Sequence, residues 1–185
     1  MTSLALTLRV DGWRCVVVGG GPVAARKVRT LLEACASVTV IAPAVVASIE
    51  QLAADGRVAL HRRPFAIGDC DGARVVVAAT DDADVNELVG SEAARAHALV
   101  NRADDADAGD VALGAVARVG AVLVMIATEG VNPAAARWLR DHIVTTMTPT
   151  IERLGTALTT DDRDRTRRSY ADIVKLMATE SDRHS

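Results

Sequence analysis

Apolar positions along the chain change period several times. Arg14-Cys-Val-Val-Val-Gly19 is a continuous β-branched run closed by glycine, the pattern of a strand covered on both faces of a parallel sheet. From Pro22 to Ala36 the period becomes helical, with Val23, Val28, Leu31 and Leu32 at spacings of three to five. Ser37 to Ile41 repeats the strand pattern and is closed by Ala42-Pro43. A helix over about Val45–Ala54 leads through Asp55-Gly56 into a short strand, Val58–His61. Arg74–Ala79 is another buried strand, followed by a helix from about Ala83 to Ala96 and a strand at Leu99–Asn101. Strands alternating with helices predict a parallel, doubly wound sheet.

After Asn101 the character shifts. Arg102 to Asp110 is a loop dense in carboxylates, and two further strands are expected at Ala112–Arg118 and Ala121–Ala127, separated by Val119-Gly120. Asn132-Pro133 supplies a cap and a first-turn proline for a helix that is expected to reach about Met147 and to end near Pro149. The rest, to Ser185, reads as one or two amphipathic helices interrupted by the charged stretch 160–168. The resulting division is 1–111, 112–147 and 148–185.

Composition narrows the function classes. Half of the 185 residues are hydrophobic, which suffices for a substantial core, but only 2% are aromatic, so that core must be built from Ala, Val and Leu. Aromatic stacking platforms, the common support for single-stranded nucleic acid, are scarce. A net charge of −3 with no strongly basic block argues against nucleic-acid binding. Neither a signal peptide nor an apolar run of spanning length is visible, so a cytoplasmic protein is expected, with no membrane association. Cys15, Cys35 and Cys70 lack the spacing of a zinc or redox site and read as reduced, buried residues. The four histidines are scattered, and no metal site is expected from them.

The first chemical signal is Gly19-Gly20-Gly21-Pro22-Val23-Ala24. It fits the G-x-G-x-x-G/A dinucleotide fingerprint and lies between a buried strand and a helix, the context that fingerprint requires. Gly19 permits the tight turn, Gly21 permits close approach of a pyrophosphate, and Ala24 lets helix pack on strand. The diphosphate would then lie on the helix N-terminus, where N–H groups and the dipole favour an anion. A glycine turn that merely joins strand to helix has the same sequence. The acidic residue that usually meets the ribose is absent at Ala42-Pro43, so this strand end leaves NAD and NADP undistinguished. Thr80 and Asp81, at the end of another buried strand, are candidates for cofactor contact or for capping the next helix.

Further along, Ala25-Arg-Lys27, Val38-Thr-Val-Ile-Ala-Pro43, Arg63-Pro-Phe65, Ala78-Ala-Thr-Asp-Asp82 with Asn86, Asn101 with Asp104, and Ala127-Thr-Glu-Gly-Val-Asn-Pro133 with Arg137 and Arg140 follow in order. Together with the glycine loop this series resembles the precorrin-2 dehydrogenase family of sirohaem synthesis, over roughly residues 4–155. The resemblance implies an α/β fold: a Rossmann-like parallel sheet that binds NAD, a short β dimerisation segment and a C-terminal helical segment. It implies a homodimer that oxidises precorrin-2 to sirohydrochlorin, with Fe²⁺ insertion as a second reaction in some members. No fused methyltransferase is expected within these 185 residues.

By the same resemblance Asp104 is the catalytic carboxylate, suited to accept a proton as hydride leaves. Asn101 falls on the cofactor side. Thr128, Asn132, Arg137 and Arg140 fall on the substrate side, where guanidinium groups suit the carboxylates of a tetrapyrrole. Asp105, Asp107 and Asp110 lie close by in sequence; repulsion among them can raise one pKa, while a solvated acidic loop is the plainer reading of the cluster as a whole. Two segments depart from the family pattern: Val111-Ala-Leu-Gly114 after the Asp, and Glu129 where relatives carry glycine. The departures bear mainly on metal insertion. A non-catalytic NAD(H)-sensing module also fits the glycine loop, and Asp104 is the residue for which such a sensor has no use.

Overall fold

The structure is a computed structural model that describes residues 3–120, 122–128 and 132–159. Glu129 and the charged stretch 160–168 lie outside the described residues. Two compact units meet in sequence between Leu113 and Gly114.

The first unit is a five-stranded parallel sheet. Its elements are β1 (Arg14–Val18), α1 (Pro22–Glu33), β2 (Ser37–Ile41), α2 (Ala47–Ala54), β3 (Ala59–His61), β4 (Val75–Ala78), α3 (Ala83–Arg95) and β5 (Leu99–Arg102). The strand order is β3-β2-β1-β4-β5. The chain therefore runs outward in one direction, returns to the centre and runs outward in the other. This reversal leaves a crevice at the carboxyl ends of β1 and β4.

Strand alternation sorts the core onto the two faces. Cys15, Val17, Val38, Val40, Val75 and Val77 pack with Ala24, Ala25 and Val28 of α1 and Ile49 of α2. Val16, Val18, Ile41, Val76, Ala78 and Val100 pack with Val89 and Ala93 of α3 and with Cys70. Small side chains permit close layers, and each buried Val contributes about 1.5–3 kcal/mol. The outer edge of β5 is covered by its own returning loop: the Asp110 and Val111 N–H groups donate to the Val100 carbonyl, and the Val100 N–H donates to the Asp110 carboxylate.

The second unit is an antiparallel pair, β6 (Ala115–Val119) and β7 (Val122–Ile126), covered by α4 (Pro133–Thr159). Gly120 turns the hairpin with φ +56. Asn132 caps α4, its Oδ1 accepting from the N–H groups of Ala134 and Ala135.

Three expectations need correction. The helix expected to end near Pro149 continues through it to Thr159, so a boundary at 147/148 falls inside one helix. Ile151 is buried just beyond the proline, and packing of that kind outweighs one lost backbone hydrogen bond. β6 begins at Ala115 rather than Ala112, because Val111 is bonded to Val100 and Leu113 packs on the first unit's core. Cys35 is exposed, at φ +62 just beyond α1, while Cys15 and Cys70 are buried as expected. Among the described residues, no helix is long and apolar enough to cross a membrane.

Candidate functional site

All strands of the first unit run in the same direction, so the loops after β1, β2, β4 and β5 gather on one edge. Register fixes their neighbours: Val18 is paired with Ile41 on one side and Ala78 on the other, and Ala78 with Arg102. Gly19–Ala24, Ala42-Pro43, Thr80-Asp81, Asn101 and Asp104 therefore line one edge of one sheet.

The three glycines stand in different surroundings. A Cβ on Gly19, at φ +124, would meet the Ala79 carbonyl oxygen at 2.2 Å. One on Gly20 would meet the Ala44 carbonyl oxygen at 1.8 Å. Both are thus required by the packing of the protein itself. A Cβ on Gly21 would meet nothing within 4 Å. Gly21 is the N-cap of α1, has no side chain to cap the helix, and is followed by Pro22 at the first position. Open space beside an uncapped helix N-terminus fits a pyrophosphate. Val23 is exposed at that end, while Ala24 is fully buried against the sheet. Ala42 is buried and donates its N–H to His61, and Pro43 is exposed, leaving no acidic group at this strand end.

At the end of β4, Thr80 is half-buried and tied to α3. Its N–H and hydroxyl both donate to Asn86 Oδ1, at 3.1 and 2.8 Å, and its carbonyl accepts from Asn86 Nδ2. Asp82, not Thr80 or Asp81, caps α3, accepting from the N–H groups of Asp84 and Val85. Asp81 is exposed.

At the end of β5, successive side chains leave opposite faces. Asn101 lies opposite Val77 on the face that α1 covers, and its Nδ2 donates to the Val111 carbonyl at 2.7 Å. Its Oδ1 is buried without a partner among the described residues. Arg102 lies on the α3 face. Its Nε and NH2 donate to the two oxygens of Asp104 at 3.0 and 2.9 Å, and its NH1 donates to Glu87 at 2.8 Å. This fork pulls the Asp104 carboxyl down to about 2, with a smaller contribution from Asn86 in the same direction and burial opposing.

Asp104 is therefore lowered, not raised by repulsion. The neighbouring carboxylates serve the backbone instead: Asp105 accepts from the Asp107 N–H, and Asp110 accepts from the Val100 N–H. Arg102, Glu87 and Asn86 complete the site, and the first two were not anticipated. The available signal was an arginine on a buried strand, which requires a counterion.

In the second unit, Thr128 Oγ1 accepts from the Asn132 N–H, and both residues organise the start of α4. Arg137 is exposed on that helix. Arg140 donates to Asp141 and to the Val116 carbonyl.

The family model described as putative NAD(P)-binding matches residues 6–115. A siroheme synthase of Methylococcus capsulatus is 39% identical over 171 residues, which are 91% of this chain and 35% of that protein. One of Methylobacillus flagellatus is 36% identical over 154 residues, 83% of this chain and 33% of that one. A precorrin-2 dehydrogenase of Bacillus subtilis is 30% identical over 140 residues, 76% of this chain and 86% of the relative. Among solved structures, SirC, precorrin-2 dehydrogenase, matches with a TM-score of 0.70 and 23% identity, covering 97% of this chain and 100% of that one, a likeness of fold.

Proposed function

Because the chain belongs to the precorrin-2 dehydrogenase family, we propose that it oxidises precorrin-2 to sirohydrochlorin with NAD⁺ as hydride acceptor, in the synthesis of sirohaem. The observation that carries this reading beyond kinship is the carboxyl edge of the sheet, where the open cradle at Gly21 and the carboxylate of Asp104 line the same row of loops.

Gly19, Gly20, Gly21, Pro22, Val23 and Ala24 hold the diphosphate, with Ala42, Pro43, Thr80, Asp81 and Asn101 flanking it. When bound, the nicotinamide supplies the acceptor for the hydride. Precorrin-2 loses two hydrogens in the reaction, one as hydride and one as a proton. Asp104 accepts that proton at a carboxylate oxygen. With its pKa near 2 it is ionised at neutral pH, and so weak a base suits a proton that departing hydride has acidified. Thr128, Asn132, Arg137 and Arg140 are assigned to substrate carboxylates, the exposed Arg137 most directly.

A homodimer formed through the second unit belongs to the same reading. A two-stranded sheet is marginal alone, and β7 exposes Leu123 and Met125 side by side on one face. A cytoplasmic location belongs to the same reading. Fe²⁺ insertion as a second reaction would draw on the same Asp104.

The test is anaerobic incubation of the purified chain with precorrin-2 and NAD⁺, followed by absorption spectroscopy. Conversion to sirohydrochlorin with equal NADH formation is expected. Tight NAD⁺ binding with precorrin-2 unchanged would leave the sensing module as the reading.

A further inference from the structure

Arg102 has an unusual position for a strand residue. It shares the α3 face of the sheet with Val100, its side chain is 7% accessible, and the backbone around it leaves it room: a Cβ on Gly90 of α3 would come within 3.7 Å of its NH1. A buried guanidinium requires anions, and it has two. Glu87 is the solvent-side partner, with a side chain 73% accessible, while the Asp104 side chain is 29% accessible. The Nε and NH2 edge of the fork meets both oxygens of Asp104, which fixes the carboxylate plane as well as its location.

Resting on the reading of Asp104 as the proton acceptor, we propose that Arg102 is a positioning residue for the reaction: its fork holds the Asp104 carboxylate at the end of β5, and Glu87 holds the fork. The groups that face Asp104 are few. Arg102 comes from β5 and Asn86 from α3, whereas Asp105 and Asp110 on its own loop turn their carboxylates to the backbone N–H groups of Asp107 and Val100. Fixing the acceptor removes a rotation that substrate binding would otherwise have to freeze, and small misplacements of a reacting group cost rate steeply.

Two properties of Arg102 separate in its variants. Arg102→Lys retains a positive charge without the planar fork. Arg102→Met retains neither. Arg102→Met is expected to lower kcat for precorrin-2 oxidation about 10- to 100-fold with NAD⁺ affinity unchanged, and to move the acid limb of kcat up toward ordinary carboxylate values. Arg102→Lys is expected to lose rate while its acid limb stays near that of wild type. Glu87→Gln, at an exposed partner of the fork, is expected to lower kcat less than Arg102→Met does. Wild-type kcat and pH profile in Arg102→Met, or in both Arg102→Lys and Glu87→Gln where Arg102→Met does not fold, would overturn the proposal.

A readout independent of turnover separates this proposal from its parent. The Asp104 carboxyl is followed by ¹³C NMR in the cofactor-free chain. An upward shift of its titration in Arg102→Met supports the clamp even if wild type fails to oxidise precorrin-2. An unchanged titration rejects the clamp whatever the turnover.

Discussion

Arg102 engages both oxygens of Asp104, at 3.0 and 2.9 Å, although the two residues are only two positions apart. Arg102 is the last residue of β5 and Asp104 lies on the loop beyond it, so the strand end itself turns the carboxylate back onto the guanidinium. The acidic loop is thereby organised rather than merely solvated.

The same pairing makes the fold sensitive to acid. Arg102 lowers Asp104, Arg63 lowers Asp69, and Arg95 lowers Glu92 through hydrogen bonds to the ionised form. A lowered carboxylate adds stability that is fully present above the ordinary range near about 4 and is lost as pH falls through the folded value. Urea midpoints should therefore drop from about pH 4 downward, with the Asp104 contribution lost last, near 2. Asp104→Asn should be less acid-sensitive than wild type in that interval, and equal sensitivity would remove Asp104 from the effect.

Adjacent glycines should respond in different ways. In Gly20→Ala the new Cβ meets a backbone carbonyl at 1.8 Å, so the thermal midpoint should fall by the equivalent of about 3 kcal/mol or more. In Gly21→Ala the Cβ enters open space at an ordinary φ of −81, and stability should change by no more than about 1 kcal/mol. That methyl enters the space proposed for the diphosphate, so NAD⁺ affinity should fall at least about tenfold. Calorimetry of the two variants with and without NAD⁺ checks both parts.

Cys35 stands where a helix usually ends in glycine, at φ +62 and exposed. Cys35→Gly should raise stability by up to about 1 kcal/mol in urea titration. In the native chain a thiol reagent should modify Cys35 quickly. Cys15 and Cys70 should react only on unfolding, since burial pushes both up to about 11.

Much of the first unit was legible in the sequence because parallel strands are buried on both faces and read as unbroken apolar runs. Ser37–Ile41 is found at its expected bounds, and Pro22 opens α1 as expected. What was not legible depends on residues distant in sequence. The division of labour between Gly20 and Gly21 is decided by the Ala44 carbonyl. The charge state of Asp104 is decided by Arg102, itself held by Glu87 from α3, whereas sequence proximity pointed to repulsion from Asp105, Asp107 and Asp110. The passage of α4 through Pro149 reflects burial of Ile151 beyond it, which local propensity does not contain.

The central claim is that one edge of one sheet binds the cofactor and supplies the proton acceptor as separable functions. Comparing Asp104→Asn with wild type, at saturating NAD⁺ under anaerobic conditions, tests it most directly. The account predicts unchanged NAD⁺ affinity and a fall in precorrin-2 oxidation of about 10²- to 10⁴-fold, the range a positioned general base contributes. Wild-type turnover by Asp104→Asn would contradict it.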